Sequence, residues 1–240
     1  MKKIIKRILL ILAVIFALLM TVVLIYYSPI FSMNSIETGQ IANTNIYAVK
    51  NVGNTIYLYQ TDNGYIMFDA GSNTKKIENS LNEAGINLND VKWIFLSHSD
   101  GDHVSALSLF PNANIYMNED EFQLVNGTTK RAFLGGNSLP SGINIDRIIP
   151  LSNGQELLFN ETKVKCISTP GHTPGSMLYL VDEQYLFSGD VFKIKNGNIS
   201  VHPYSMDKTI SKKTIEQLTE IIKNSQIVLP SHYRICYFVE

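Results

Sequence analysis

Val91-Lys92-Trp93-Ile94-Phe95-Leu96-Ser97-His98-Ser99-Asp100-Gly101-Asp102-His103 is the stretch from which this chain can be read. Its first six residues carry one charge, Lys92, and form an apolar run of strand length. Its last six hold four potential metal donors, His98, Asp100, Asp102 and His103, in a loop that Gly101 allows to turn sharply. Imidazole and carboxylate together are the donors that zinc, iron and manganese accept. The bland alternative is a polar loop in which Asp102 caps the next helix.

Three more donors occupy similar places further along. His172 lies in Thr169-Pro170-Gly171-His172-Thr173-Pro174-Gly175, where proline and glycine stiffen a tight loop after the strand that carries Cys166. Asp190 ends the run Leu186-Phe187-Ser188-Gly189-Asp190, and His232 ends Ile227-Val228-Leu229-Pro230-Ser231-His232. One histidine beyond a strand is ordinarily just a polar residue, but four of the five histidines here stand at strand-to-loop junctions. The fifth, His202, reads as loop surface.

The surrounding pattern supplies a frame. Strand signals fall at 45–50, 55–60 and 65–69, with Asn63-Gly64 as a tight hairpin turn. Asn73 can cap a helix whose Ile77, Leu81 and Ala84 share one face. A short helical stretch at 104–110 and a strand at 113–117 follow. Further strands are expected at 163–168, 177–181 and 184–187, then a helix carrying Ile215, Leu218, Ile221 and Ile222. Runs of strands separated by helices predict an α+β domain of packed sheets with helices outside, rather than a regular parallel alternation. The segments 132–146 and 196–206, rich in Gly, Asn and Pro, are the expected pocket rim.

Ahead of this domain, Ile8 to Tyr27 run without a formal charge, preceded by Lys2, Lys3, Lys6 and Arg7. Twenty helical residues span roughly 30 Å, the thickness of a bilayer core. The cations predict that the N-terminus stays cytoplasmic and that everything after the helix is extracytoplasmic. The organisation expected is therefore basic residues and a signal-anchor helix at 1–27, a tether at 28–44 and the globular domain at 45–240. A cleaved signal peptide and secretion is the competing reading, against which stand the length of the run and the absence of a clear cleavage site. Composition, 45% hydrophobic and 17% charged, excludes a disordered chain. With the four N-terminal cations set aside, the other 16 Lys and Arg face 21 Asp and Glu, so no general basic footprint for nucleic acid exists. No disulfide is expected between Cys166 and Cys236, which are 70 positions apart.

The order His98-x-Asp100-x-Asp102-His103, Gly171-His172, Gly189-Asp190, Ser231-His232 resembles the metallo-β-lactamase superfamily, and Phe68-Asp69-Ala70-Gly71 resembles its earlier acidic strand end. The resemblance runs from about Asn45 to His232. It implies a four-layered αβ/βα sandwich with a site for two divalent ions, most commonly zinc. Carried over by position, His98, Asp100 and His172 would hold one ion, Asp102, His103 and His232 the other, and Asp190 would bridge. Asp102 would also orient the nucleophile and serve the leaving group, and Asp69 would support the site from behind. The family motif usually has histidine where Asp100 stands; a carboxylate there adds negative charge and predicts a shift toward harder ions such as iron or manganese. Lys193, three positions after Asp190, has two readings: an ammonium at the site mouth that meets an anionic group of substrate, or an ordinary solvated lysine in Lys193-Ile194-Lys195-Asn196-Gly197.

What the resemblance implies is hydrolysis of an ester, lactone, amide or related bond, in a small-molecule or envelope-derived substrate. Three alternatives stay open from sequence: a phosphodiesterase on envelope polymer or nucleic acid, a diiron-type redox protein, and a non-catalytic metal module.

Overall fold

A computed structural model describes residues 2–131, 137, 139–195 and 197–238. The chain divides into two compact units, Met1–Asn34 and Ser35–Glu240. The first is helix α1 (Lys2–Tyr27) followed by a short 3₁₀ turn at Ser28–Ser32. The span Lys2–Ser32 is long and apolar enough to cross a membrane, with a mean hydropathy of 3.4. Apolar residues surround α1 on all faces, and none of them is buried.

The second unit is built from two mixed sheets. Strands β1 (Gly39–Gln40), β2 (Ile46–Lys50), β3 (Thr55–Thr61), β4 (Gly64–Phe68), β5 (Val91–Leu96), β6 (Asn114–Asn118) and β7 (Ile148–Leu151) form the first in sequence order. Strands β8 (Glu156–Phe159), β9 (Thr162–Ser168), β10 (Met177–Val181), β11 (Tyr185–Gly189), β14 (Ile227–Pro230) and β15 (Cys236–Tyr237) form the second, ordered β15-β14-β11-β10-β9-β8. A separate antiparallel ribbon joins β12 (Phe192–Lys195) to β13 (Asn198–Val201). Helix α2 (Thr74–Glu83) follows β4, the single turn α3 (Gly101–Val104) follows β5, α4 (Phe122–Val125) follows β6, and α5 (Lys208–Asn224) precedes β14.

Strand alternation sorts side chains into layers. In β3, Ile56 and Leu58 point to a cluster that includes Ile77 and Leu81 of α2, while Tyr57 and Tyr59 point into the interface between the sheets. In β10, Met177, Tyr179 and Val181 meet that interface, and Leu178 faces a third cluster with Leu218 and Ile222 of α5. The sequence of layers is helix, sheet, sheet, helix, as the resemblance implies. Phe68 and Phe187 stack across the sheets with centroids 3.8 Å apart, and Tyr179 Oη donates to the Leu96 carbonyl at 2.6 Å. Such aromatic contacts bury large area and fix the sheets' relative register.

The helix expected after Asn73 begins there, and the Asn73 side chain accepts from the Lys76 N–H. One boundary differs from expectation. Gly39–Gln40, in the stretch expected as a tether, pairs with β2, so the fold begins before residue 45. Strands β7 and β8 carry no strong apolar alternation, because each is a short edge strand and β7 contains Pro150. The expected rim at 196–206 contains β13, with Asn196 outside the described residues. Cys166 and Cys236 are both free thiols.

This architecture sets up one functional edge. Strands β4 and β5 are parallel, as are β11 and β14. Their carboxyl ends therefore point the same way within each sheet, and Asp69, His98, Asp190 and His232 follow those ends.

Candidate metal centre

Glycine and buried hydrogen bonds bring the loops together. Gly189 has φ +50°, and a Cβ there would run into the Ser97 side chain, so only glycine lets the β11 end approach the β5 end. A Cβ on Gly175 would likewise run into the backbone at Glu121. Glu121 is fully buried and joins two donor loops. Its Oε1 accepts from Ser99 N at 2.8 Å and Ser99 Oγ at 2.7 Å, and its Oε2 accepts from Thr173 Oγ1 at 2.6 Å and Gly175 N at 3.0 Å. Four donors compensate the burial of one carboxylate.

All seven expected donors converge at this edge. His98 Nε2 and His172 Nε2 lie 3.3 and 3.4 Å from Asp100 Oδ2. His103 Nε2 and His232 Nε2 lie 3.6 and 3.3 Å from Asp102 Oδ2. Asp190 stands between the two sets, with Oδ2 3.5 Å from His172 Nε2 and 3.1 Å from His232 Nε2, and Oδ1 3.6 Å from His103 Nε2. Two donors each bound at about 2.1 Å to one tetrahedral ion stand about 3.4 Å apart, which is the spacing observed. The buried Nε2 atoms of His98, His103 and His172 and Oδ1 of Asp190 have no hydrogen-bond partner among the described residues. Orphaned buried donors facing one point fit a cation. His98, Asp100 and His172 form one such group and Asp102, His103 and His232 another.

Each half is held from behind. His103 Nδ1 pairs with Asp69 Oδ2 at 2.8 Å, and Asp69 Oδ1 accepts from Ser97 N at 2.8 Å. Asp69 sits at φ +60°, an uncommon backbone setting for an aspartate that aims its carboxylate under the loop. His98 Nδ1 meets Ser97 Oγ at 2.9 Å, and His232 Nδ1 meets the Gly53 carbonyl at 2.8 Å. These contacts turn Nε2 of each ring toward the centre. Asp102 is 38% exposed in its side chain, whereas Asp190 is 5% exposed, so Asp102 is the carboxylate nearest the opening.

Charge pairing is strong throughout. Burial would raise the Asp100 carboxyl, but His98 and His172 outweigh it and hold it well below the usual range. Asp102 behaves alike, brought down to about 2 by His103 and His232 against its burial. Burial would lower His232, yet Asp190 and Asp102 push it up to about 10. His172 goes the other way, lowered by burial to about 4.

Four residues of the site escape sequence reasoning. Arg131, with 2% of its side chain exposed, places Nη1 3.1 Å from Asp100 Oδ2, and donates to the carbonyls of His172 at 3.2 Å and Tyr204 at 2.7 Å. Asn137 donates to Asp100 Oδ1 at 2.7 Å. The extra charge of Asp100 is thus met by a buried guanidinium. Glu121 is the third. The fourth, His202, corrects an expectation: it is not loop surface but 1% exposed, with Nε2 3.8 Å from Asp190 Oδ2. No spacing signal marks Arg131, Asn137 or Glu121, since Arg131 and Asn137 lie in the connection between α4 and β7 and Glu121 in the 3₁₀ turn after β6; only the Asn- and Gly-rich character of 132–146 points to one of them. Of that segment, residues 132–136 and 138 lie outside the described residues. Lys193 is half-buried, with Nζ 5.9 Å from the Tyr233 ring centroid, and belongs to none of the donor groups.

A two-sheet sandwich with paired His and Asp groups at its edge defines a protein built to hold metal ions at the ends of its strands. Residues 49–224 match the model of the metallo-beta-lactamase superfamily, and the chain belongs to that superfamily. It is 33% identical over 151 residues to the uncharacterised protein YobT of Bacillus subtilis (strain 168), covering 59% of this chain and 63% of that one. It is 25% identical over 173 residues to the probable metallo-hydrolase MJ0296 of Methanocaldococcus jannaschii, covering 69% and 70%. The chain thus spans a little under two thirds of YobT. Among solved structures, the fold is shared with a metallo-beta-lactamase family protein of Thermus thermophilus, at TM-score 0.62 and 19% identity over 80% of this chain and 75% of that one. MEM-A1, a subclass B3 metallo-beta-lactamase from a soil metagenome library, shares it at TM-score 0.64 and 17% identity over 83% and 81%.

Proposed function

We propose that this chain is a membrane-anchored metallo-hydrolase that binds two divalent ions, zinc by preference. The convergence of seven donors into two groups, with Asp190 reaching His172 of one and His103 and His232 of the other, carries the reading. His98, Asp100 and His172 would hold one ion, Asp102, His103 and His232 the other, with Asp190 shared. Bound there, such ions supply an acidified water and a Lewis acid for the scissile carbonyl. Zinc is favoured because Arg131 pairs with Asp100 and returns that half to the charge of an all-imidazole set. It also agrees with the relative PksB of Bacillus subtilis, described as a probable zinc-dependent hydrolase.

The protein's own groups then divide the work. Asp102 is the carboxylate closest to solvent, positioned to orient water and to pass a proton to the leaving group. Asp69 holds the His103 tautomer with the proton on Nδ1, leaving Nε2 as a donor to metal. Lys193, beside Tyr233 at the margin, would meet an anionic part of the substrate. Esters, lactones and amides are favoured over polyanions because acids outnumber bases outside the N-terminal segment. The apolar helix and the cations before it support an anchor with its N-terminus in the cytoplasm and the hydrolase domain outside, acting on envelope-derived or extracellular small molecules.

The test is a substrate panel of esters, lactones, thioesters and phosphodiesters, run on the zinc-loaded full chain in detergent beside Asp102→Ala. Turnover of carboxylic esters or lactones that vanishes in the variant is expected. Turnover equal in both proteins, or confined to phosphodiesters, would refute the assignment.

A further inference from the structure

Among the five histidines gathered at this edge, two leave both ring nitrogens buried without a hydrogen-bond partner among the described residues: His172 and His202. An imidazole in that condition has lost its solvation at both polar atoms, at a cost of about 1–3 kcal/mol for each unsatisfied group. For His172 the explanation lies in the donor group already described. His202 stands beside it, with ring centroids 4.8 Å apart, and among the described residues no carbonyl or carboxylate hydrogen-bonds either of its nitrogens.

His202 is held in place by its backbone. It follows the end of β13, and its carbonyl accepts from Ser205 N at 3.1 Å. The same turn is stitched to the His172 loop, with Met206 N donating to the His172 carbonyl at 3.0 Å and Asp207 N to the Gly171 carbonyl at 2.9 Å. Arg131 ties the two loops a third time, through the carbonyls of His172 and Tyr204. The fold therefore fixes the His202 ring opposite Asp190, where Nε2 lies 3.8 Å from Oδ2. That distance exceeds a hydrogen bond. It is within about 0.4 Å of the roughly 3.4 Å that separates two donors at about 2.1 Å from one tetrahedral ion. Donor atoms of His172, Asp190 and His202 all fall within 4.8 Å of one another.

We propose that His202 is an eighth ligand of the metal centre, binding on the His172–Asp190 side and supplying there the imidazole that Asp100 replaces. This rests on the two-ion reading above. Asp100, with Asn137 on one oxygen and Arg131 on the other, is a shared and weakened donor. A neutral nitrogen from the end of β13 compensates.

The full chain in detergent is stripped of metal and titrated with cobalt(II), following absorption in the visible region and affinity against a competing chelator. His202→Gln should leave one equivalent bound as in the wild type and weaken the other by on the order of tenfold or more, with a changed visible spectrum. His202→Ala should show the same loss and recover both affinity and spectrum when free imidazole is added, which no folding defect would do. Two equivalents bound by His202→Gln with wild-type affinity and spectrum, or His202→Ala that imidazole fails to rescue, would overturn the eighth ligand alone. A wild type that takes up no cobalt would sink the two-ion reading with it.

Discussion

The two halves of the donor set are built differently. The half with Asp102, His103 and His232 is braced by groups that the strand ends deliver directly: Asp69 behind His103 and the Gly53 carbonyl behind His232. The half with His98, Asp100 and His172 has one such brace, Ser97 behind His98, and otherwise draws on residues from other connections, namely Arg131, Asn137, Glu121 and His202. Of these, Arg131 and Asn137 answer to one exchange. A carboxylate at position 100 needs a cation and donors to be stable when 14% exposed, and an imidazole would not.

The largest effect that would sharpen this contrast is chemical. Asp102→Ala removes the most solvent-open carboxylate of the first-mentioned half, and hydrolysis should fall by about 10²–10⁴-fold while the domain stays folded. A variant within a few-fold of the wild type would show that the exposed half does not carry the proton chemistry. Next comes the buried ion pair. Arg131→Gln leaves Asp100 with His98, His172 and Asn137 but without its guanidinium, and denaturant unfolding of the metal-free protein should register a loss of about 1–3 kcal/mol. Adding Asp100→His to that variant should restore much of it, because the weakened ion pair disappears with the carboxylate. A cost no larger than that of a surface substitution, within about 0.5 kcal/mol, would erase the distinction between the halves.

Asp69→Asn probes the other half. It keeps shape but weakens the acceptor behind His103, so affinity for one metal equivalent should drop about 10–100-fold, read by chelator competition. An unchanged affinity would mean that His103 is aimed by packing alone. The smallest effect is on pH dependence. His232, raised to about 10 when folded against 6.5 ordinarily, contributes stability that is complete below about pH 6.5 and is lost as pH rises through about 10. Asp102, lowered to about 2 from 3.8, contributes stability present above about pH 4 and lost as pH falls through about 2. The melting temperature of metal-free protein should therefore decline by a few degrees from pH 7 to 10, and metal loading, which requires neutral imidazoles, should flatten that decline. Parallel slopes with and without metal would contradict the pairing of His232 with Asp102 and Asp190.

Legibility in the sequence divides along the same line. Donors at strand ends announce themselves, since an apolar run fixes the strand and a Gly- or Pro-flanked polar residue fixes its end; His98, His172, Asp190 and His232 are all found this way. Central strands such as β5 and β10 are plain for the same reason. Arg131 and Asn137 carry no such frame, because a loop side chain's destination depends on the tertiary path of the loop. His202 escapes because Val201-His202-Pro203 looks like a polar turn, while its burial comes from the ribbon β12–β13 and the stitching of 205–207 to the His172 loop. Glu121, near Glu119 and Asp120, looks like one more surface acid; only the fold shows four donors around it.

Metal content of the purified full chain, expressed with zinc supplied and counted by elemental analysis against protein concentration, tests the two-ion centre most directly. Two equivalents of divalent metal per chain, falling to one or fewer in His103→Ala, is the result expected. A chain that holds no stoichiometric metal, or that keeps its full complement without His103, would contradict it.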